Sequence, residues 1–228
     1  LPWGNMSYWG AQVILNLAGA IPVVGDALVT WVRGDYLLSG ATLNRFFAIH
    51  VAVIPLILVG LVFIHLVALH HVGSNNPDGV DIKKLKDENG VPLDGIAFHP
   101  YYTVHDLVGI VVFLFIFSLV IFFFPDGGGY FLEKPNFDPA NPLKTPAHIA
   151  PVWYYTPFYA ILRAVPSKLG GVIAMGAAIA ILFVLPWLDK SPVKSIRYKG
   201  WMSKLWLGIF VVSFVGLGYL GAVPADPV

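Results

Sequence analysis

The stretch Asn44–Pro77, NRFFAIHVAVIPLILVGLVFIHLVALHHVGSNNP, decides the fold. From Phe46 to Leu69 it has no Lys, Arg, Asp or Glu. As a helix, that run is long enough to cross a hydrocarbon core about 30 Å thick. Two histidines, His50 and His65, stand inside it. Fifteen steps of ~1.5 Å put them roughly 22 Å apart along the axis, and at about 100° per residue both point to one side. An imidazole in lipid is costly unless a metal or an opposing polar group satisfies it. Two satisfied histidines on one side, one in each leaflet, suit a pair of haems stacked across a membrane. Spacing alone leaves a hydrogen-bonded core histidine or a proton-relay member equally open.

Composition agrees with a membrane setting. Of 228 residues, 57% are hydrophobic and 12% charged, and the mean hydropathy is +0.73. An ordinary soluble domain carries about 25% charged residues. The net charge of +1 and the lack of a basic run give no support to a nucleic-acid partner. With no cysteine in the sequence, thiolate clusters, c-type haem attachment and disulfides are excluded.

Residues 1–43 read as an interfacial amphipathic segment, because Asp26, Arg33 and Asp35 interrupt it while Trp3, Trp9 and Trp31 suit a membrane surface. A spanning helix is expected over 44–72, then a polar, turn-rich loop over 73–103. A second span is expected over 104–125, and the connection 126–168, rich in proline, is too long for a passive linker. Trp153 to Val165 within it has helical spacing and aromatic weight. Spans over 169–188 and 205–223 flank a basic loop, 189–204. Gly171, Gly176 and Ala180 permit close helix contact in the third span. The fold class is therefore an all-α membrane protein of four transmembrane helices, with amphipathic surface helices in the N-terminal segment and the long outer loop. Lys190, Lys194, Arg197, Lys199 and Lys204 against Asp189 mark the last loop as cytoplasmic. That puts His65 on the inner side and His50 on the outer.

The text NRFFAIH, a proline five residues on, a second histidine, and then LHHVGSNNP resembles the fourth transmembrane helix of cytochrome b, the membrane subunit of quinol:cytochrome c oxidoreductase (respiratory complex III). LPWGNMSYWGAQV and GATLNRFF are also close to family text, and the resemblance extends over essentially the whole chain. It implies that His50 ligates the low-potential haem b and His65 the high-potential one. Their interval is one residue longer than in many members, and is shared with photosynthetic relatives and some bacterial ones. The beginning resembles the connection between the third and fourth helices, and the ending, AVPADPV, the mouth after the seventh. On that resemblance the two partner histidines belong to a helix outside this stretch, so the stretch alone is expected to bind haem weakly or not at all.

Two quinone sites follow from the same resemblance. HVGSNNP and FHPYYTVHDLVG resemble the quinone-reduction site, which implies contacts from His70, Ser74 and Asp106. From the residues alone, Asp106 is equally a helix-start carboxylate favoured by the dipole, and His70 a surface residue. On the outer side, Gly10 lines the quinol-oxidation pocket by resemblance, together with Pro151, Val152, Trp153, Tyr154 and Tyr159. Gly10, having no Cβ, lets a ring or a backbone come close. The family's Pro-Glu-Trp-Tyr motif reads Pro151-Val152-Trp153-Tyr154 here, and valine cannot accept a proton. Some bacterial members share that variant.

The resemblance implies a fragment of a bacterial inner-membrane cytochrome b with two b haems, working with ubiquinone or another quinone. It also implies a dimeric complex with a Rieske iron–sulfur protein and a cytochrome c-type subunit. A dihaem anchor subunit of a membrane dehydrogenase fits His50 and His65 equally well, but does not need the proline-rich loop or GSNNP. A transporter expects broken spans lined with polar groups, and Pro55 is the only mid-span break.

Overall fold

The structure, a computed structural model, describes residues 3–74, 76, 78–129, 131–132, 134–193 and 195–224. Asn75 and Pro77 of the GSNNP loop, Lys194 of the basic loop and the end of AVPADPV lie outside the described residues. The described chain is all-α. Four helices are long and apolar enough to cross a membrane: Gly40–Val72, Phe98–Phe123, Lys168–Leu188 and Trp201–Ala222. In chain order the α-helices are α1 (Asn5–Ala18), α2 (Gly25–Arg33), α3 (Gly40–Ala48), α4 (Ile54–Val72), α5 (Thr103–Phe123), α6 (Thr156–Ala164), α7 (Lys168–Leu188) and α8 (Trp201–Ala222). A π-helical turn, Ile49–Val53, joins α3 to α4.

The chain divides into two compact units, the first comprising Leu1–Val59, Asp138–Pro192 and Lys199–Val228. Its N-terminal part is amphipathic, as the broken charge pattern predicts. Arg33, the last residue of α2, is only 9% exposed. Its guanidinium donates to Asn16 Oδ1 at 3.0 Å, Gln12 Oε1 at 3.4 Å and the Tyr36 carbonyl at 3.1 Å. The Arg33 carbonyl in turn accepts from the hydroxyl of Thr42, 2.8 Å away and fully buried. Ser39 and Thr42 form a capping box, so the first spanning helix starts at Gly40, four residues before the segment read as spanning. The cap supplies partners for first-turn N–H groups, whereas hydropathy registers only the later apolar run.

Further along the same unit, α6 lies against both α7 and α8. Close approach there depends on two glycines. A Cβ at Gly221 on α8 would fall 1.9 Å from the Thr156 carbonyl oxygen, and one at Gly171 on α7 would fall 2.5 Å from that of Leu162. Gly171 thus packs as its composition suggested, whereas Gly176 faces open space. The α8 C-terminus is closed by side chains. Arg163 donates to the carbonyls of Leu220 and Val223, and His148 Nε2 to that of Ala222 at 3.0 Å. The N-terminal segment and the long connection are also tied, through Asn5 N–H to the Asp138 carbonyl (2.9 Å) and Ala140 N–H to that of Trp3 (3.2 Å). The connection is therefore structural, as its length suggested.

The second unit comprises Gly60–Phe137 and Val193–Tyr198. Neither α4 nor α5 contains a buried residue. The loop after α4 holds a turn at Lys86–Pro92 and an exposed ion pair, Lys84 to Asp81 at 3.0 Å. Its hydrogen bond to Lys84 holds the Asp81 carboxyl below the usual carboxylate range. Lys83 Nζ reaches the carbonyls of His70 and His71 (2.6 Å to the latter), placing a cation at the negative end of α4.

Candidate functional site

His50 sits inside the π-helical turn. Ile54 N–H bonds to the Ile49 carbonyl, and Pro55 follows immediately. Proline has no N–H to give and its ring crowds the carbonyl four residues back, so the helix widens just before it. Such single wide turns concentrate at functional sites.

Both imidazoles are exposed, and among the described residues neither has a hydrogen-bond partner. A neutral imidazole with a free nitrogen is a haem ligand by its donor chemistry. His50 and His65 therefore fit b-haem iron, one imidazole each. No cluster of three or more metal-ligating side chains occurs among the described residues.

At the end of α4 the His70 ring is oriented. Its Nδ1 lies 2.7 Å from the Leu66 carbonyl, which can only accept, so Nδ1 carries the hydrogen and Nε2 is left to exchange a proton. Ser74 follows past the helix end, and Asp106 lies in the first turn of α5, where a carboxylate is favoured. No hydrogen bond joins His70, Ser74 and Asp106 among the described residues. Lys83, thirteen residues beyond His70, was not marked as a site residue. Nothing in the local pattern of its loop reveals which of the lysines folds back.

The outer-side residues all belong to the first unit. Pro151 and Val152 run without regular structure into a turn at Trp153–Tyr155, closed by Tyr155 N–H on the Val152 carbonyl at 2.8 Å. Thr156 fastens the turn to α6 through its hydroxyl on the Trp153 carbonyl at 2.6 Å. The rings of Trp153 and Tyr154 meet edge-on at 5.5 Å, and Tyr154 and Tyr155 lie 4.7 Å apart. Tyr159 is covered by the Arg163 guanidinium, 4.8 Å from its ring centre. Trp3, just before α1, and Tyr8 and Trp9 on it form an edge-to-face cluster, whereas the Cβ position of Gly10 has nothing within 4 Å. The absent Cβ therefore leaves room rather than serving an internal contact.

These features define a multi-pass membrane protein with imidazoles of metal-ligating type on a spanning helix. The chain matches the family described as "Cytochrome b(N-terminal)/b6/petB" over residues 1–157 and that described as "Cytochrome b(C-terminal)/b6/petD" over residues 139–228. It is 66% identical to cytochrome b of Allochromatium vinosum, covering 99% of this chain and 56% of that protein. It is 53% identical to cytochrome b of Rickettsia bellii, over 99% of this chain and 54% of that protein. A solved structure of a hyperthermophilic respiratory complex III superimposes with a TM-score of 0.86 at 38% identity, covering all of this chain and 58% of that one. The chain belongs to the cytochrome b family, and spans about half the length of the curated relatives it matches.

Proposed function

We propose that this chain belongs to a cytochrome b that moves electrons across a bacterial inner membrane, within a quinol:cytochrome c oxidoreductase. The observation that carries this reading is the pair of unpartnered imidazoles on one membrane-length helix, in a chain of this family. His50 would hold the low-potential haem b near the outer surface and His65 the high-potential one near the inner surface. Bound there, haem supplies reversible one-electron transfer. Partner histidines come from outside this stretch.

Quinol oxidation releases two protons and two electrons, so each quinone site needs proton-exchanging groups. On the inner side, His70 Nε2 exchanges a proton while Leu66 holds the ring, and Ser74 and Asp106 supply a hydroxyl and a carboxylate. On the outer side, quinol enters beside Gly10 and the Pro151-Val152-Trp153-Tyr154 turn, with Tyr154 and Tyr159 as hydroxyl carriers. A Rieske iron–sulfur protein and a cytochrome c-type subunit complete the electron path, in a dimer.

The test is a redox titration of the visible spectrum of the complete complex. Two b-type signals of different potential, with quinol oxidation blocked by outer-site inhibitors, are expected. A complex without b-type absorbance sinks the reading. Tight bis-imidazole haem binding by residues 1–228 alone would refute the assignment of partner histidines elsewhere.

A further inference from the structure

Oxidising quinol where Val152 replaces a carboxylate leaves a proton without an obvious acceptor. Three residues before Pro151 stands His148, which the motif does not use. Its Nε2 lies 3.0 Å from the Ala222 carbonyl. A carbonyl only accepts, so Nε2 carries the hydrogen and Nδ1 keeps its lone pair for an incoming proton. The ring is exposed, in a segment without regular structure that leads directly into the Trp153–Tyr155 turn. At most four residues of chain, a reach of about 14 Å, separate it from Val152.

We infer that His148 is the proton-relay residue of the outer site, taking at Nδ1 the proton that the family's glutamate takes elsewhere. The inference rests on the function proposed above. His148 is anchored at the C-terminus of α8, the negative end of a helix of 22 residues. The charged group that shares this helix end with it is Arg163 of α6. Arg163 is already committed to the Leu220 and Val223 carbonyls of the same terminus, so that terminus holds one fixed cation and one group able to become a cation. In the step itself, a quinol O–H bond breaks and its proton passes through water to Nδ1. The second proton leaves to solvent. The two electrons leave singly, to the one-electron acceptors of the function proposed above, for one of which His50 would be a ligand. His148 then releases its proton to the outer aqueous phase.

The experiment compares wild-type, H148Q, V152E and H148Q/V152E complexes, each checked for b-haem absorbance before assay. Glutamine can still donate to Ala222 but has no basic nitrogen. Steady-state quinol oxidation by H148Q is expected to fall roughly a hundredfold in kcat with KM nearly unchanged. The acid-side decline of the wild-type pH profile, where a protonated imidazole no longer accepts, should vanish. H148Q/V152E should regain rate, with its decline displaced toward lower pH because a carboxylate titrates there. H148Q with the wild-type rate and profile overturns the proposal, as does failure of V152E to restore anything. The redox-difference infrared spectrum of the wild-type complex decides the matter should H148Q not assemble. An imidazole that becomes protonated on quinol oxidation supports the relay, and no imidazole protonation overturns it. A wild-type complex that fails to oxidise quinol would instead sink the function proposed above.

Discussion

The α6–α8 region and the second unit both carry membrane-length apolar helices, yet they pack them in opposite ways. In the first, a short helix lies against two long ones, so tightly that two glycines are required and three backbone carbonyls accept from side chains. In the second, α4 and α5 bury nothing. Spanning helices associate by close packing and polar contacts rather than by expulsion of water, so apolar character does not say which faces meet. The difference teaches where chemistry sits. The packed region fixes its side chains against backbone carbonyls, whereas the unburied helix leaves His65 open, as the turn before it leaves His50.

The largest effect expected from breaking this contrast is at His65. His65→Leu in the complete complex should remove one b-type signal outright, and lower the unfolding temperature by the stabilisation that the bound haem supplies. A spectrum that keeps both signals would contradict the assignment. Next come the glycines. Gly221→Ala forces a methyl against the Thr156 carbonyl and should cost at least ~1–3 kcal/mol of stability. Gly109→Ala in α5 and Gly176→Ala in α7, each facing open space, should be neutral or stabilising by up to about 1 kcal/mol from helix propensity. Thermal unfolding in detergent ranks the three, and equal midpoints would erase the distinction between the regions.

Thr42→Val should cost about 1–3 kcal/mol, since it orphans the Ser39 N–H in a buried cap, and the same unfolding assay reads it. The smallest effect belongs to Asp81. Its carboxyl titrates below the usual range, so the bond to Lys84 is present at neutral pH and lost as pH falls through the lowered value. An exposed pair of this kind contributes little. Asp81→Asn should leave the unfolding midpoint at pH 7 within error, and a clear loss would mean that the loop is more than a solvated turn.

Much of the site was legible in the letters. His50 and His65 stand out because a polar ring inside a charge-free run has few physical reasons to be there. The all-α class and the approximate spans follow from hydropathy for the same reason. Gly171 and Gly176 both read as small residues in one span, yet among the described residues only Gly171 has a neighbouring backbone close against it. Composition cannot say which helix face a neighbour covers. Lys83 and His148 were passed over because their partners, His70 and His71 carbonyls for one and the Ala222 carbonyl for the other, are backbone atoms distant in sequence.

By itself, the sequence determined that this chain crosses a membrane as helices and carries imidazoles within it. Lipid offers backbone groups no hydrogen bonds, so long apolar runs have to be helical. Only the tertiary structure decided that α6 docks between α7 and α8, that Arg33 ties α1 and α2 to the start of the histidine-bearing helix, and that His148 turns one nitrogen to a helix end and leaves the other free. Those outcomes depend on carbonyls and open spaces created by folding, and no residue type encodes them in advance.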